Sequence, residues 1–362
     1  MTLIKQKNIC IISHSLAKGG AERVAAQQSI ILHQLGYQVF IVTVLNEIEF
    51  DYQGTLLNLG ILKDEKDGLL HRVSRLIRLQ KFLKKNKIDV IIDHRSRNNL
   101  ARELGLQWLI YRKIKSIFII HSFNLEKSFP NQKKWAKILY SNHHLVCVSK
   151  AIEQNIIQTF GFKHTHTIYN PIHLERFSNI PNKKPHSPFI LFFGRFDEHA
   201  KDLRFLIHAY HKSELPKQNI ALYLMGEGPD KNKIEKFVAQ LHLTDKVIFK
   251  PYNPSPFTIV KQALFTVLTS HYEGFPMSIV ESLACSTPVV SVDCESGPRE
   301  LIQHKHNGLL VTKELSTYTE ALNLMILEPK ILNHCQQNCV TSIQYLSTEY
   351  IANKWQTLID HL

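Results

Sequence analysis

Two glutamates, Glu273 and Glu281, stand either side of the stretch Gly274-Phe-Pro-Met-Ser-Ile-Val280. An apolar run of strand length, Ala263–Leu268, precedes them, and Ile279, Val280, Leu283 and Ala284 recur at helical spacing behind, so the segment predicts strand, turn, helix. Pro276 cannot continue a helix from its N-terminal side but suits a first turn. The backbone N–H groups of Met277 and Ser278 are thereby left among the unpaired donors of a helix start. Such donors, backed by the helix dipole, suit an anion. Glu273 in the loop and Glu281 about one turn into the helix would flank a phosphate placed there. Taken singly, each reads equally well as a solvated loop acid or a favourable first-turn charge.

Other candidates lie where predicted strands end. Arg195 and Lys201 follow the strand Phe189–Phe193. Arg offers a planar fork and Lys a compact charge to phosphate oxygens, although two cations after a strand are common. His121 directly follows the strand Ser116–Ile120, a position that lands on the edge where parallel sheets bind ligands; a surface histidine is its plain reading. Gly19-Gly20 joins a strand, Asn8–Ser13, to a helix from about Ala21 to Leu35. Without the full G-x-G-x-x-G pattern it reads as well as a tight turn as a phosphate loop.

Strand, loop and helix alternate along the whole chain, which predicts parallel α/β sheets. At 362 residues, two domains are expected. The stretch 179–188 holds three prolines and no apolar pattern, so it predicts a linker between an N-terminal domain, residues 1–178, and a second, residues 189–345.

With 44% hydrophobic and 21% charged residues the chain is globular. It shows neither a cleavable leader nor an apolar run of the ~20 residues that span a bilayer, so a cytoplasmic protein is expected. The net charge of +13 asks for an acidic partner. Zinc-finger spacing, an aromatic RNA-binding strand and heptads behind a basic run are all missing, which disfavours nucleic acid and favours a phosphorylated substrate or an anionic membrane surface. Gly68–Lys87 carries seven Lys/Arg and no acid. On a helical wheel Leu69, Val73, Leu76, Ile77 and Leu83 gather opposite Arg75, Arg78, Lys81 and Lys85. Such a helix can pack its apolar side on a sheet and show its basic side to lipid. Cys335, Cys339 and His334 lack a further pair to complete a metal site, and no Asp-x-Asp follows a strand, so no metal is expected.

The Glu-x7-Glu motif around Gly-Phe-Pro resembles the donor-sugar motif of the family-4 retaining glycosyltransferases of the GT-B fold, and the resemblance extends along most of the chain. It implies two doubly wound, Rossmann-like domains facing a central cleft, with a final helix, residues 346–362, crossing back to the first. It further implies that Gly19 and Gly20 border the donor phosphates and that His121 reaches the transferred sugar. Arg195 and Lys201 would clamp the diphosphate, Glu281 would grip the ribose and Glu273 would orient the sugar. The reaction implied is transfer from a UDP- or GDP-sugar to a hydroxyl of a glycan or lipid-linked acceptor in cell-surface polysaccharide or lipopolysaccharide synthesis, at the inner face of the membrane. An epimerase on the same fold and an inactive scaffold are the rival readings. At Lys250-Pro251 the chain departs from the family, which has a glycine where its backbone meets the base; proline removes one N–H there.

Overall fold

The computed structural model describes residues 7–63, 68–181 and 185–362. They form two compact units: one runs to Pro171 and includes Thr348–Leu362, and the other is Ile172–Ser347. In the first, β1 (Asn8–Ser13), β2 (Gln38–Thr43), β3 (Thr55–Asn58), β4 (Val90–Asp93), β5 (Lys115–Ile120), β6 (His144–Cys147) and β7 (Thr165–Thr167) make one sheet in the order β3-β2-β1-β4-β5-β6-β7. Every pairing is parallel. The order reverses between β1 and β4, so the sheet is doubly wound. Ile9, Cys10 and Ile11 are fully buried at successive positions, which requires both faces to be covered. The cover comes from α1 (Gly20–Gln34), α2 (Leu69–Lys85), α3 (Leu100–Leu106), which continues into a π-helical turn (Gln107–Tyr111), α4 (Lys133–Tyr140) and α5 (Lys150–Phe160). Right-handed crossovers place α1 on one face and α2 to α5 on the other.

The second unit has β8 (Phe189–Phe193), β9 (Ala221–Met225), β10 (Val247–Lys250), β11 (Thr266–Leu268), β12 (Val289–Val292) and β13 (Gly308–Val311), ordered β10-β9-β8-β11-β12-β13 and again parallel. Around it run α6 (Glu175–Ser178), α7 (Glu198–Lys201), α8 (Leu203–Lys212), α9 (Lys231–Gln240), α10 (Phe257–Gln262), α11 (Met277–Ala284), α12 (Pro298–Leu301), α13 (Leu315–Leu327) and α14 (Pro329–Asn338). Its core is aromatic at the centre, with Phe192, Phe196, Tyr210, Phe265 and Tyr318 all buried. The closing helix α15 (Thr348–Asp360) belongs to the first unit and buries Ile351, Trp355 and Ile359, one helical stripe. Tyr37 donates a hydrogen bond to Asp360 Oδ1 at 3.1 Å there.

Two sequence expectations shift. The units part at Pro171–Ile172, ahead of the proline-rich stretch 179–188, of which residues 182–184 lie outside the described residues. The cause is local: Ile172 N–H donates to Leu346 O at 2.9 Å, and Phe177 of α6 meets Phe257 at 4.7 Å between ring centroids, so α6 is anchored in the second unit. Among the described side chains of α2, Leu79 and Leu83 are buried, whereas Val73 and Ile77 are exposed; the side chain of Leu69 lies outside the described ones. The helix is therefore rotated about its axis from the orientation the wheel predicts.

Candidate active site

Strands β8 and β11 are neighbours in the second sheet, with Leu191 opposite Thr266, so the loops leaving their carboxyl ends emerge side by side. That is how Lys201 and Glu273, far apart in sequence, come to a salt bridge of 2.6 Å between Nζ and Oε1. Ser270 Oγ donates to the same carboxylate oxygen at 2.6 Å. Both charged side chains are mostly shielded, 20% exposed for Lys201 and 11% for Glu273. The surrounding backbone is strapped: Thr269 Oγ1 donates to Lys201 O at 2.9 Å, and His271 N–H to Ala200 O at 2.9 Å. Asp202, in the left-handed region at φ 50°, caps α8 and takes Lys313 Nζ at 2.7 Å. Lys201 is thus fixed at both ends of its peptide.

Helix α11 begins at Met277 with Pro276 as its N-cap. Ile279 N–H is the first to join the helix, donating to Pro276 O at 3.0 Å, so the amides of Met277 and Ser278 precede the ladder. Glu281 sits one turn in and is 8% exposed. A segment not singled out in the sequence holds this turn in place. Ser296 Oγ donates to Gly274 O at 2.8 Å, and Glu273 N–H to Glu295 O at 3.3 Å. Gly297, at φ 97°, lies so close to Pro276 that a Cβ would stand 2.3 Å from its Cδ. The Gly297-Pro298 dipeptide was its only signal in the sequence.

Arg195 is not part of the Lys201–Glu273 pair. Its side chain is 69% exposed, with Nε 3.9 Å from Asp197 Oδ2. The loop it stands on is rigid, because a Cβ on Gly226 would come within 1.9 Å of Gly194 O and one on Gly228 within 2.2 Å of Phe196 O. Gly226 N–H donates to Lys250 O at 3.1 Å, so the loops after β8, β9 and β10 interlock through backbone alone.

In the first unit His121 leaves β5 and joins a buried chain that sequence reading missed. His94 Nε2 lies 2.6 Å from Gln28 Oε1, and His94 Nδ1 lies 3.0 Å from His121 Nε2. A carbonyl oxygen can only accept, so His94 donates through Nε2 and receives the proton of His121 Nε2. His121 therefore presents Nδ1 as its acceptor. The loop bearing His94 is clamped by Arg97, which donates to the carbonyls of Asp93, Arg95 and Ile119, and by Arg95 against Asp93 at 2.7 Å. Gly19 caps α1, and the carboxylate of Glu22 lies over it, 1.8 Å from where a Cβ would be; Gly20 has open space around its Cα.

Burial, then the charge of Arg97, pushes His121 down to about 3, and burial followed by Arg95 pushes His14 down to about 4. His94 falls well below 6.5, chiefly through burial. These rings are neutral in the folded chain and protonate first in the unfolded one, so their contribution is complete above about pH 6.5 and is lost as pH falls towards 3–4. The unfolding free energy of the first unit is expected to fall between pH 6.5 and 5, above the carboxylate range, by up to about 1.4 kcal/mol per pH unit per histidine, and its melting temperature with it. A flat calorimetric profile across that window would contradict the assignment.

Cys335 and Cys339 are fully buried, with Cys339 Sγ 3.1 Å from Cys335 O. Burial raises both thiols, Cys335 to about 11. They pack as small hydrophobes.

A cation–carboxylate pair beside a helix start at the carboxyl edge of a doubly wound sheet is an arrangement suited to an anionic ligand. The chain's family is specific. Residues 18–176 match Glycosyltransferase Family 4 and residues 175–339 match Glycosyl transferases group 1, so the chain belongs to the group 1 glycosyltransferases of the GT-B fold. It is 28% identical over 315 residues, 83% of this chain and 85% of the other, to an N-acetylgalactosamine-N,N'-diacetylbacillosaminyl-diphospho-undecaprenol 4-alpha-N-acetylgalactosaminyltransferase of Campylobacter jejuni. To a lipopolysaccharide 1,6-galactosyltransferase of Escherichia coli it is 26% identical over 250 residues, 67% of each chain. The fold superposes on Anabaena Alr3699/HepE in complex with UDP and glucose with a TM-score of 0.78 at 17% identity, over 99% of this chain and 100% of that one.

Proposed function

We propose that the protein transfers a sugar, with retention of anomeric configuration, from a nucleotide diphosphate sugar to a hydroxyl of a glycan or lipid-linked glycan in cell-surface polysaccharide synthesis. The observation that carries this is the Lys201–Glu273 pair at 2.6 Å beside the start of α11, inside the stretch that matches the group 1 family. Relatives acting on a diphospho-undecaprenol glycan and on lipopolysaccharide support the acceptor class, and a fold relative holding UDP supports a UDP-sugar.

Lys201 has three N–H donors and gives one to Glu273, so it can meet phosphate oxygens while still holding the carboxylate. The Met277 and Ser278 amides add neutral donors, and exposed Arg195 swings in as a second cation. Together they stabilise the charge that grows on the departing diphosphate. Because these groups supply the positive charge, no divalent ion is needed. Glu273, tied to Lys201 and Ser270, orients the sugar through hydrogen bonds rather than attacking it. Glu281 binds the two ribose hydroxyls, and His121 offers Nδ1 as an acceptor for a hydroxyl. The enzyme works as a peripheral protein at the inner face of the membrane, and among the described residues no helix is long and apolar enough to cross one.

Incubation with labelled UDP- and GDP-sugars and an undecaprenyl-diphosphate glycan, with and without EDTA, tests the reading. Equal nucleoside diphosphate and elongated glycan, unaffected by EDTA, is the expected result. An epimerised sugar with no glycan product would establish the epimerase, and an inert protein the scaffold. Glu281 makes the same contacts before and during transfer, so Glu281→Gln is expected to raise the donor KM roughly tenfold at nearly constant kcat. A kcat that falls as far as kcat/KM would remove Glu281 from ribose binding.

A further inference from the structure

The net charge of the chain is not spread over it. Residues 68–140 hold 17 Lys/Arg and four Asp/Glu, net +13, while the remainder holds 27 of each. The whole positive excess thus lies in the stretch that supplies α2, α3 and α4, the helices on one face of the first sheet. Of its four acids, Asp93 and Glu103 are buried and paired with Arg95 and Arg102, so the outer surface is more basic than the count implies.

The same face is unusually apolar where it is exposed. Seven of the thirteen exposed large hydrophobic side chains among the described residues belong to it. Trp108 on the π-helical turn is 66% exposed, and Ile138 and Trp135 on α4 are 67% and 40% exposed, beside exposed Lys133, Lys134 and Lys137. Leu104, Trp108 and Ile138 line one open groove of about 800 Å³ with Lys113, and Trp135 stands one turn before Ile138 on α4. Lys113 and Ile114 also line the adjoining groove with Lys81, Lys84 and Lys87 at the end of α2, which makes the surface continuous from α4 to α2.

We infer that this face docks on an anionic lipid bilayer, with Trp108, Trp135 and Ile138 entering the headgroup layer and the α2 and α4 lysines meeting acidic lipid. Tryptophan favours that interface because its ring is apolar and its N–H polar. Lysines around it supply the electrostatic half of a two-part anchor, and neither half is strong alone. A solvated basic surface explains the charge but not two tryptophans and an isoleucine held in water among the lysines. The inference deepens the peripheral location proposed above, moving its weight from the basic side of α2 to α4 and the π-helical turn.

The test is sedimentation of the full chain with phosphatidylglycerol/phosphatidylcholine vesicles and with phosphatidylcholine alone, at low and high salt. Tryptophan emission is followed as well, since Trp355 is buried and the other two of the three tryptophans are on this face. Expected are binding to the anionic vesicles only, a blue shift on binding, and weakening by salt. Trp108→Ser with Trp135→Ser and Ile138→Ser should weaken partitioning tenfold or more while keeping its salt dependence. Lys133→Glu with Lys134→Glu and Lys137→Glu should weaken it similarly and flatten the salt dependence. Vesicle binding by both variants equal to wild type, no blue shift, or tighter binding to a DNA or RNA oligonucleotide than to anionic vesicles would each overturn the inference. Neither variant touches the residues placed in transfer. Nucleoside diphosphate release with a short water-soluble acceptor should therefore be unchanged, which separates failure of this inference from failure of the proposed reaction.

Discussion

Lys201→Ala is expected to lower kcat by roughly 10²- to 10³-fold at saturating donor, the scale seen when one preorganised donor to a developing anion is lost. In the proposed reaction, charge on the diphosphate rises as the glycosidic bond breaks, so Lys201 would act more strongly in the transition state than in the ground state. Its position is prepared in advance: Glu273 holds Nζ at 2.6 Å, and Thr269 and His271 hold the backbone. The substitution also leaves the Glu273 carboxylate, 11% exposed, with one charged partner fewer beside Ser270, costing about 1–3 kcal/mol of stability. Kinetics on protein shown to be folded separates the two losses. Near-normal kcat in folded Lys201→Ala would reduce the pair to a structural salt bridge.

Gly226→Ala should be the most damaging single change to the second unit. The new Cβ would lie 1.9 Å from Gly194 O, a backbone atom fixed in turn by Gly194 N–H donating to Met225 O at 3.0 Å. A backbone carbonyl cannot swing aside as a side chain does, and Gly226 already sits at φ 149°. About 3 kcal/mol of destabilisation is expected, with a melting temperature lower by roughly 6–12 °C for a unit of this size. Because the β8 loop carries Arg195, donor affinity should fall with it. Calorimetry showing a loss under 1 °C would mean that the loops do not interlock as described.

How much of this could be read from the sequence follows the range of the interactions. Strand, turn and helix around Glu273 and Glu281 are local, and the apolar spacing and Pro276 revealed them. The contact of Lys201 with Glu273 depends on β8 and β11 being neighbours, a fact of sheet order that no local pattern encodes. Gln28 and His94 share the difficulty, since His94 is one of 20 histidines and its meaning comes only from the partners at either end. Gly226 stands in Gly-Glu-Gly-Pro, a composition any turn could have, and the reason it must be glycine is the carbonyl of a loop 32 residues earlier. On α2 the apolar side read from the wheel is used only at one edge: Leu83 is buried together with Leu79, which lies beside that side, while Val73 and Ile77 are exposed. The segment 179–188 looks like a linker because of its prolines, yet Phe177 already packs against Phe257 ahead of it.

The most direct measurement of the central claim is NMR of the product formed from a UDP-sugar and an undecaprenyl-diphosphate glycan, with UDP release followed in the same sample. The account predicts one UDP per new glycoside, with the anomeric configuration of the donor kept, and loss of both signals together in Lys201→Ala. A product of inverted configuration would contradict the retaining reaction, and UDP and glycoside formed at the wild-type rate by Lys201→Ala would contradict the site.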